Sequence, residues 1–142
     1  MKKISLEVYN FAGSLRIMVH LLLKIENLPS IPIKAIVDTG SPVTLIGPLD
    51  TMRMRLSKIQ LGKLQGRNKP VNIGGGQVMT KILEGSKLRF SDGLEVEMPV
   101  EFPISGKENP SQPSLLGVDF MLKTKAKLFF DAHKKEAYFE IE

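Results

Sequence analysis

The sequence predicts a mostly-β domain with one or two short helices. Most of its apolar residues fall in short runs separated by Gly, Pro, Asn and Asp, the pattern of strands joined by turns. One segment has apolar residues at helical spacing, and a second segment is compatible with a short helix. With 142 residues, 42% of them hydrophobic, the chain is long enough to bury a core, and residues 1–142 are predicted to form a single domain.

The first part of the chain is predicted to consist of strands. Each run either alternates apolar and polar residues or is continuously aliphatic, and turn-forming residues such as Gly13, Pro29 and Gly47 separate one run from the next. Asp38 follows the third run directly. The runs predicted as strands cover residues 4–9, 15–25, 33–37 and 43–46.

The segment LDTMRMRLSKI, residues 49–59, interrupts this β pattern and is predicted as a short helix. Asp50 or Thr51 is available as its N-cap, since both residue types accept hydrogen bonds from the first backbone amides of a helix. Its apolar residues recur at helical spacing, at Leu49, Met52, Leu56 and Ile59.

The rest of the chain is predicted to form hairpins and a second helix. Gly74, Gly75 and Gly76 lie between two strand-like segments and are predicted to form the tip of an extended hairpin. Asp92 and Gly93 are the turn residues of the next hairpin. The predicted segments are strands over 71–73 and 77–83, strands over 87–90 and 94–102, a loop over 108–114, a helix over 118–125, and a closing hairpin of 128–131 and 137–141.

The composition excludes cysteine chemistry and argues against a metal site. The chain has no cysteine, so disulfides, thiol catalysis and cysteine-ligated zinc are excluded. Its two histidines, His20 and His133, are far apart in sequence and form no paired ligand motif. We therefore predict neither a metal nor a cofactor.

The charge and the N-terminal sequence bear on partners and location. The net charge of +5 could attract nucleic acid, but the basic residues are scattered and no nucleic-acid motif accompanies them, so a solvated basic surface is favoured. The opening MKKISLEVYN lacks the apolar core of a signal peptide, and the apolar stretch over residues 17–23 is too short to span a bilayer. A cytoplasmic protein without membrane contact is expected.

A carboxylate stands between two apolar runs in AIVDTGSPVTLI, residues 35–46. Asp38 ends a strand, and Gly40 permits a close backbone approach that a side chain would block. An isolated Asp-Thr-Gly is compatible with a simple turn cap. However, the flanking strands favour burial, where a charge must be paired or neutralised. The pattern therefore indicates Asp38 as a candidate functional carboxylate.

AIVDTGSPVTLI resembles the active-site loop of the aspartic peptidases. Leu115, Leu116 and Gly117 resemble the second signature of that family, which forms a psi-shaped structure around the loop, and NIGGGQVMTKI occupies the place of the flap. The order and spacing are similar to the single-lobe, retropepsin-like branch over nearly the whole chain, in particular to the retroviral-protease-like domain of the DNA-damage-inducible proteins and small prokaryotic relatives. The resemblance implies a single-lobe acid-protease β-barrel with a glycine-rich flap hairpin and a psi-loop around the Asp-Thr-Gly turn.

The chain contains only one Asp-Thr-Gly, whereas aspartic peptidases need two facing carboxylates. Asp119 and Asp131 lack the Thr-Gly context, and Asp119 is interpreted as a helix cap or structural partner. The resemblance therefore implies a homodimer in which each copy contributes Asp38. Such a pair shares one proton and activates a water by general acid/base catalysis. This predicts an aspartic endopeptidase that hydrolyses extended peptide or protein substrates.

The resemblance also assigns roles to neighbouring residues. Thr39 is expected to form a hydrogen bond across the dimer, and the Ser41 hydroxyl is expected to donate to the Asp38 carboxylate and favour its charged form. An extended peptide is expected to bind by β-strand addition at the flap. The predicted flap and substrate-binding residues are Ile73, Gly74, Gly75, Gly76 and Gln77.

Two other functions stay open from the sequence. A peptidase-like fold could serve as a catalytically weak peptide-binding or dimerisation module, although the intact Asp-Thr-Gly-Ser argues against this. A basic β-barrel that binds nucleic acid is a third hypothesis, and no stacking aromatics on a strand face support it. Under the peptidase hypothesis, the side chains of Ile46, Ile73 and Val78 predict pockets that prefer apolar residues beside the scissile bond.

Overall fold

The computed structural model describes residues 2–67, 69–73, 76–104 and 112–142, without the side chains of Phe11 and Lys58. Within these ranges the chain is mostly β, as predicted, with three short helices. The helices are α1 (Pro48–Arg53), α2 (Lys58–Gly62) and α3 (Val118–Thr124). The strands are β1 (Lys2–Phe11), β2 (Ser14–Lys24), β3 (Ile31–Val37), β4 (Gln65–Gly66), β5 (Val71–Ile73), β6 (Gly76–Val78), β7 (Thr80–Leu83), β8 (Lys87–Phe90), β9 (Glu95–Glu97), β10 (Val100–Pro103), β11 (Leu115–Leu116), β12 (Lys127–Asp131) and β13 (Glu136–Ile141).

The described strands form one large sheet and two small ones. The large sheet has eight strands, with six in the order β11-β3-β2-β1-β13-β12 and with β8 and β9 joined to it through β2. Strand β2 changes partner along its length, since its first half pairs with β1 and its second half pairs with β8. The order β10-β7-β4 defines the second sheet, and the hairpin β5–β6 is the third.

Alternation along the central strands builds the main core. In β3 the residues Ile31, Ile33 and Ala35 are buried while Pro32 and Lys34 are exposed, as expected for a strand with one face on the core. Below the sheet the rings of three phenylalanines pack in series, with centroids 5.0 and 5.1 Å apart, a separation that favours tilted aromatic contacts. These rings belong to Phe90, Phe120 and Phe139.

A second, smaller apolar cluster connects the β5–β6 hairpin to the segment after Asp38. Val71 and Ile73 of β5 pack with Val43, Leu45 and Leu115, all of them buried. The hairpin is therefore fixed at its base to the residues that follow the Asp-Thr-Gly turn.

The prediction of one helix over residues 49–59 is wrong, because this segment contains two helices. Arg55 lies between them with φ at 60°, in the left-handed region, and a helix of L-residues ends at such a position. Gly47 is the N-cap of α1, in place of the predicted Asp50 or Thr51. Helix α2 begins with a capping box formed by the Ser57 and Gln60 side chains.

The apolar residues behind that prediction are also not the buried face. Leu49, Met52 and Ile59 are 60%, 75% and 74% exposed, whereas Met54, at the end of α1, is only 2% exposed. Leu56 is partly buried against the main core. The spacing of these residues is helical, but the core packs against a different side of the segment, so their side chains stay exposed.

Several other predicted segments differ in extent. Residues 43–46 form only isolated bridges, through Leu45, instead of a strand. The strands predicted over 77–83 and 94–102 are each divided in two, into β6 and β7 and into β9 and β10. The hairpins around Gly93 and at the end of the chain, and the helix after Gly117, are confirmed. The predicted loop over 108–114 lies outside the described residues up to residue 111.

The three helices of the described residues are short, with five to seven residues each. Within the described ranges, none is long and apolar enough to cross a bilayer.

Candidate active site

Asp38 lies one residue beyond the end of β3, at the start of a tight turn. Its own N–H donates to the carbonyl oxygen of Leu116 at 3.0 Å, which continues the pairing of β3 with β11. The N–H of Gly40 donates to Asp38 Oδ1 at 2.9 Å, and the N–H of Ser41 donates to the Asp38 carbonyl at 3.1 Å. These bonds hold the half-buried carboxylate in one orientation at the turn.

Leu115 and Leu116 form the short strand β11, which lies next to the Asp38 turn. Strand β11 runs parallel to β3, with Leu115 opposite Ile36 and Leu116 opposite Val37. On its other side Leu115 exchanges two backbone hydrogen bonds with Leu45, at 2.8 and 2.9 Å. The chain segments before and after Asp38 therefore both pair with β11, which is the arrangement that the psi-loop prediction implied.

Gly117 occupies a position with no room for a side chain. A Cβ atom there would lie 2.3 Å from the carbonyl oxygen of Val43 and 2.8 Å from that of Ser41. The next residue, Val118, donates its N–H to the Ser41 carbonyl at 2.8 Å. Gly117 thus lets α3 begin directly against the loop that follows Asp38.

The predicted role of Ser41 is wrong within this chain. Ser41 is fully buried, and its hydroxyl donates to the carbonyl oxygen of Val43 at 2.7 Å instead of to the Asp38 carboxylate. The buried hydroxyl needs an acceptor, and the Val43 carbonyl two residues later supplies it. Ser41 therefore stabilises the shape of the loop, and the Gly40 N–H is the donor on the carboxylate.

Asp119 fastens the loop to α3. Its Oδ2 accepts the Thr44 N–H at 2.9 Å, and its Oδ1 accepts the Thr44 hydroxyl at 2.8 Å. Burial raises the pKa of Asp119 above its ordinary value, the hydrogen bonds from Thr44 and Phe120 oppose this rise, and the Glu101 carboxylate adds to it. The interpretation of Asp119 as a structural partner is therefore confirmed, although the N-cap of α3 is Gly117.

A half-buried ion pair lies next to Thr44, whose carbonyl oxygen accepts the Glu101 N–H at 2.9 Å. Glu101 is 4% exposed, and its carboxylate accepts hydrogen bonds from Arg67 Nε and Nη2, each at 2.6 Å. The Thr80 hydroxyl donates to the same carboxylate at 2.5 Å. The bonds to Glu101 raise the pKa of Arg67. Sequence analysis did not find this pair, since its members are far apart along the chain and belong to no motif.

Two clefts open beside the Asp38 turn. The Asp38 cleft has a volume of about 440 Å³, and Asp38, Ile73 and Leu115 are among its lining residues. The Lys69 cleft, of about 980 Å³, begins at Thr39 and Gly40 and extends along the segment before β5. Residues of the turn therefore line both clefts, Asp38 in one and Thr39 and Gly40 in the other.

The structure brings most of the predicted site residues together. Asp38 and Ile73 line one cleft, Thr39 and Gly40 line the other, and Gly76 pairs with Ile73 in the β5–β6 hairpin. Gln77 is exposed on that hairpin. Gly74 and Gly75, the predicted flap tip, lie outside the described residues.

Of the three side chains predicted to form pockets beside the scissile bond, only that of Ile73 lines one of the two clefts. Ile46 is 2% exposed within the main core and lines neither cleft. Val78 packs against the smaller apolar cluster. Residues missed by sequence analysis contribute instead, among them Ile17 and Phe130 in the Asp38 cleft and Arg67 and Lys69 in the Lys69 cleft.

In the described ranges, no group of three or more His, Cys, Asp or Glu side chains is placed to hold a metal ion.

Comparison with solved structures identifies the fold as retropepsin-like. A retropepsin-like aspartic protease from Rickettsia conorii superposes with a TM-score of 0.63 at 16% identity, covering 97% of this chain and 89% of that one. EIAV protease in complex with the inhibitor HBY-793 gives a TM-score of 0.56 at 15% identity, covering 86% of this chain and 100% of the viral chain. The retropepsin-like resemblance and the single-lobe β fold predicted from the sequence are thus confirmed.

Comparison of the sequence with family models and curated proteins does not place the chain in a group narrower than the retropepsin-like fold. No protein-family model matches the chain, and no curated protein matches it. Neither of the two structures is a DNA-damage-inducible protein, so the particular resemblance to that group stays a prediction.

Proposed function

We propose that this protein is an aspartic endopeptidase in which two copies of the chain each contribute Asp38 to one shared active site. The observation that carries the proposal is the placement of Asp38, a half-buried carboxylate in a tight turn whose residues line two clefts of a retropepsin-like fold. The solved structures with this fold add support, since both are described as proteases.

The requirement for a second copy follows from the chemistry of hydrolysis. One group must take a proton from the attacking water while another gives a proton to the substrate. Among the described residues that line the two clefts, Asp38 is the only carboxylate. A two-fold axis beside the turn would supply the second one, and the exposed Thr39 is available for a hydrogen bond to the partner.

The pair of carboxylates acts by sharing one proton. Two carboxylates about 3 Å apart cannot both ionise cheaply, so they titrate as a unit. The ionised one accepts a proton from the water that attacks the scissile carbonyl carbon, and the protonated one donates to the carbonyl oxygen. As the intermediate collapses, the carboxyl that took the proton from the water donates it to the leaving nitrogen, and the other carboxylate takes a proton back from the hydroxyl that becomes the product carboxyl group. The Gly40 N–H bonds Oδ1 of Asp38, which leaves Oδ2 to face the water.

The β5–β6 hairpin offers a place for an extended peptide. Ile73 lines the Asp38 cleft and Asn72 lines the Lys69 cleft, so β5 passes along both. A peptide strand between this hairpin and the Asp38 turn would bind through its backbone, with alternate side chains directed into the clefts.

Cleavage profiling of a diverse peptide pool from pH 4 to 8 tests the proposal. The wild type is expected to cut the pool, and Asp38→Asn is expected to lose activity by at least about a thousand-fold, because it removes the proton transfers that the dyad performs. Asp92→Asn, in an exposed turn, is the matched control and should retain activity.

Other outcomes separate the alternatives. Equal cleavage by the wild type and by Asp38→Asn would reject the proposed role of Asp38. A folded dimer that binds peptides without cutting them would favour the peptide-binding module instead.

A further inference from the structure

Basic side chains line the Lys69 cleft, and no acidic side chain of the described residues does. Lys69 and Arg67 line this cleft together with the amide side chains of Gln65 and Asn72. An anionic group that entered the cleft would therefore meet the Lys69 ammonium group, the exposed part of Arg67 and amide donors, while the nearest carboxylate, that of Glu101, is engaged by Arg67 and does not line the cleft.

Arg67 is held in place on this wall by Glu101. The carboxylate of Glu101 is bonded to Nε and Nη2 of Arg67, which fixes the plane of the guanidinium group. The Arg67 side chain stays 39% exposed while that of Glu101 is 5% exposed. Glu101 thus acts from behind the wall, and Nη1 of Arg67 remains available as a donor on the exposed side.

Lys69 has no such partner. It is exposed, and none of the ion pairs, hydrogen bonds or ring contacts of the described residues involves its ammonium group. Its charge is therefore not neutralised within the described part of the chain, and it stands on the same cleft as Thr39 and Gly40 of the active-site loop.

Apolar side chains also line this cleft. Val43, Val71 and Val118 are among them, and they are more buried than the basic and amide groups. Such a combination suits a side chain that has a short hydrocarbon stem and a carboxylate end. The neighbouring Asp38 cleft has more apolar lining residues, among them Ile17, Ile36 and Leu115, although Arg16 lines it as well.

We infer that the Lys69 cleft is a subsite for an acidic side chain, Glu or Asp, of the bound peptide. This inference rests on the proposed function and specifies its substrate: a peptide with an apolar residue at the scissile bond and an acidic residue a few positions away. In a two-fold dimer the peptide passes one such cleft in each copy, so the acidic preference extends to both sides of the cut.

Matched peptides test this inference. A pool of twelve-residue peptides is made in pairs that differ by Glu or Gln at one position, and cleavage by the wild type and binding to Asp38→Asn are both measured. We expect the Glu member to be favoured roughly five-fold at one or more positions, the effect of a partly exposed ion pair. Raising the salt concentration should reduce that preference.

Charge variants assign the effect to the cleft. Lys69→Gln should abolish the preference for Glu, and Lys69→Glu should reverse it in favour of Gln. Lys63→Gln makes the same change in net charge on the exposed end of α2, away from this cleft, and should leave the preference intact. These variants are at exposed positions, so their folding can be verified by circular dichroism before the comparison.

The two readouts separate the subsite from the peptidase. Cleavage with no difference between Glu and Gln at any position would overturn the subsite and leave the proposed function in place. Glu-selective binding that depends on Lys69, without any cleavage, would uphold the subsite and overturn the peptidase. If the wild type cut no peptide and Asp38→Asn bound the Glu and Gln members equally, the subsite and the proposed function would both be overturned.

Discussion

A methyl group on Gly117 would lie 2.3 Å from the Val43 carbonyl oxygen and 2.5 Å from the carbonyl carbon. Both contacts are with backbone, so the neighbouring segment has to move to accept any side chain. Gly117→Ala is expected to lower the free energy of unfolding by about 3 kcal/mol, which urea unfolding would measure.

Gly62→Ala is the matched control for that prediction. Gly62 is the last residue of α2, and nothing lies within 4 Å of the position where its Cβ would be. Alanine there should be neutral or stabilise the protein by up to about 1 kcal/mol. Equal stabilities for the two variants would contradict the close approach at Gly117.

Asp119 gives the fold a specific pH dependence. Burial raises its pKa in the folded chain above the ordinary value of 3.8, so between these two values the folded chain binds more protons than the unfolded chain. The stability that this residue contributes therefore falls as the pH rises through that window and is constant above it. Asp119→Asn removes the titration and carries a fixed loss from the missing acceptor.

Urea unfolding from about pH 3.5 to pH 8 checks this prediction. The wild type should lose stability relative to Asp119→Asn as the pH is raised through the window, and the two curves should run parallel at higher pH. A wild type that gains stability relative to the variant with rising pH would show that the pKa of Asp119 is lowered and would contradict the account.

The short sequence motifs identified Asp38 and Gly117 but did not predict the hydrogen bonds around them. Asp-Thr-Gly and Leu-Leu-Gly are local patterns, so the positions could be predicted from sequence. The acceptor of the Ser41 hydroxyl depends on how the loop closes around a fully buried side chain, and no local pattern specifies that.

Among the elements, β10 and the segment before β5 are connected by the Arg67–Glu101 pair. Arg67→Met would leave the buried Glu101 carboxylate with the Thr80 hydroxyl as its remaining side-chain donor. A buried charge without its partner is destabilising, so we expect a loss of about 3 kcal/mol in the free energy of unfolding. Glu101→Gln should cost less, because the partly exposed Arg67 can be hydrated.

Chemical denaturation of the two variants and of the double variant measures this asymmetry. Arg89→Met, at an exposed position of β8, is the control and should change stability by no more than about 0.5 kcal/mol. If Arg67→Met were as mild as Arg89→Met, the ion pair would not stabilise the junction of these elements.

At this scale, sequence analysis succeeded where one periodicity continued and failed where partners changed. β3, α3 and the closing hairpin have regular patterns and were predicted correctly. The segment over 43–46 bonds to two different partners through Leu45, so it has apolar residues without a continuous ladder. Over 49–59 the spacing could not reveal that Arg55 adopts a left-handed conformation.

For the whole molecule, the fold is retained at a sequence identity that is too low for the fold to be inferred from identity alone. The Rickettsia conorii protease shares 16% identity with this chain and superposes over 97% of it. What could be predicted was the order of three short motifs with strands between them. The charges of the Lys69 cleft could not be predicted from the sequence, because Arg67 and Lys69 come next to Thr39 only through tertiary packing.

In the proposed dimer one active site is shared by two chains, each of which contributes Asp38. The sharing can be measured by mixing the wild type with Asp38→Asn at a fixed total chain concentration and leaving time for the dimers to exchange. If each site needs Asp38 from both copies, activity should fall with the square of the wild-type fraction, since every mixed dimer is inactive. Activity that falls in direct proportion to the wild-type fraction would mean that each chain carries a complete site, and would contradict the account.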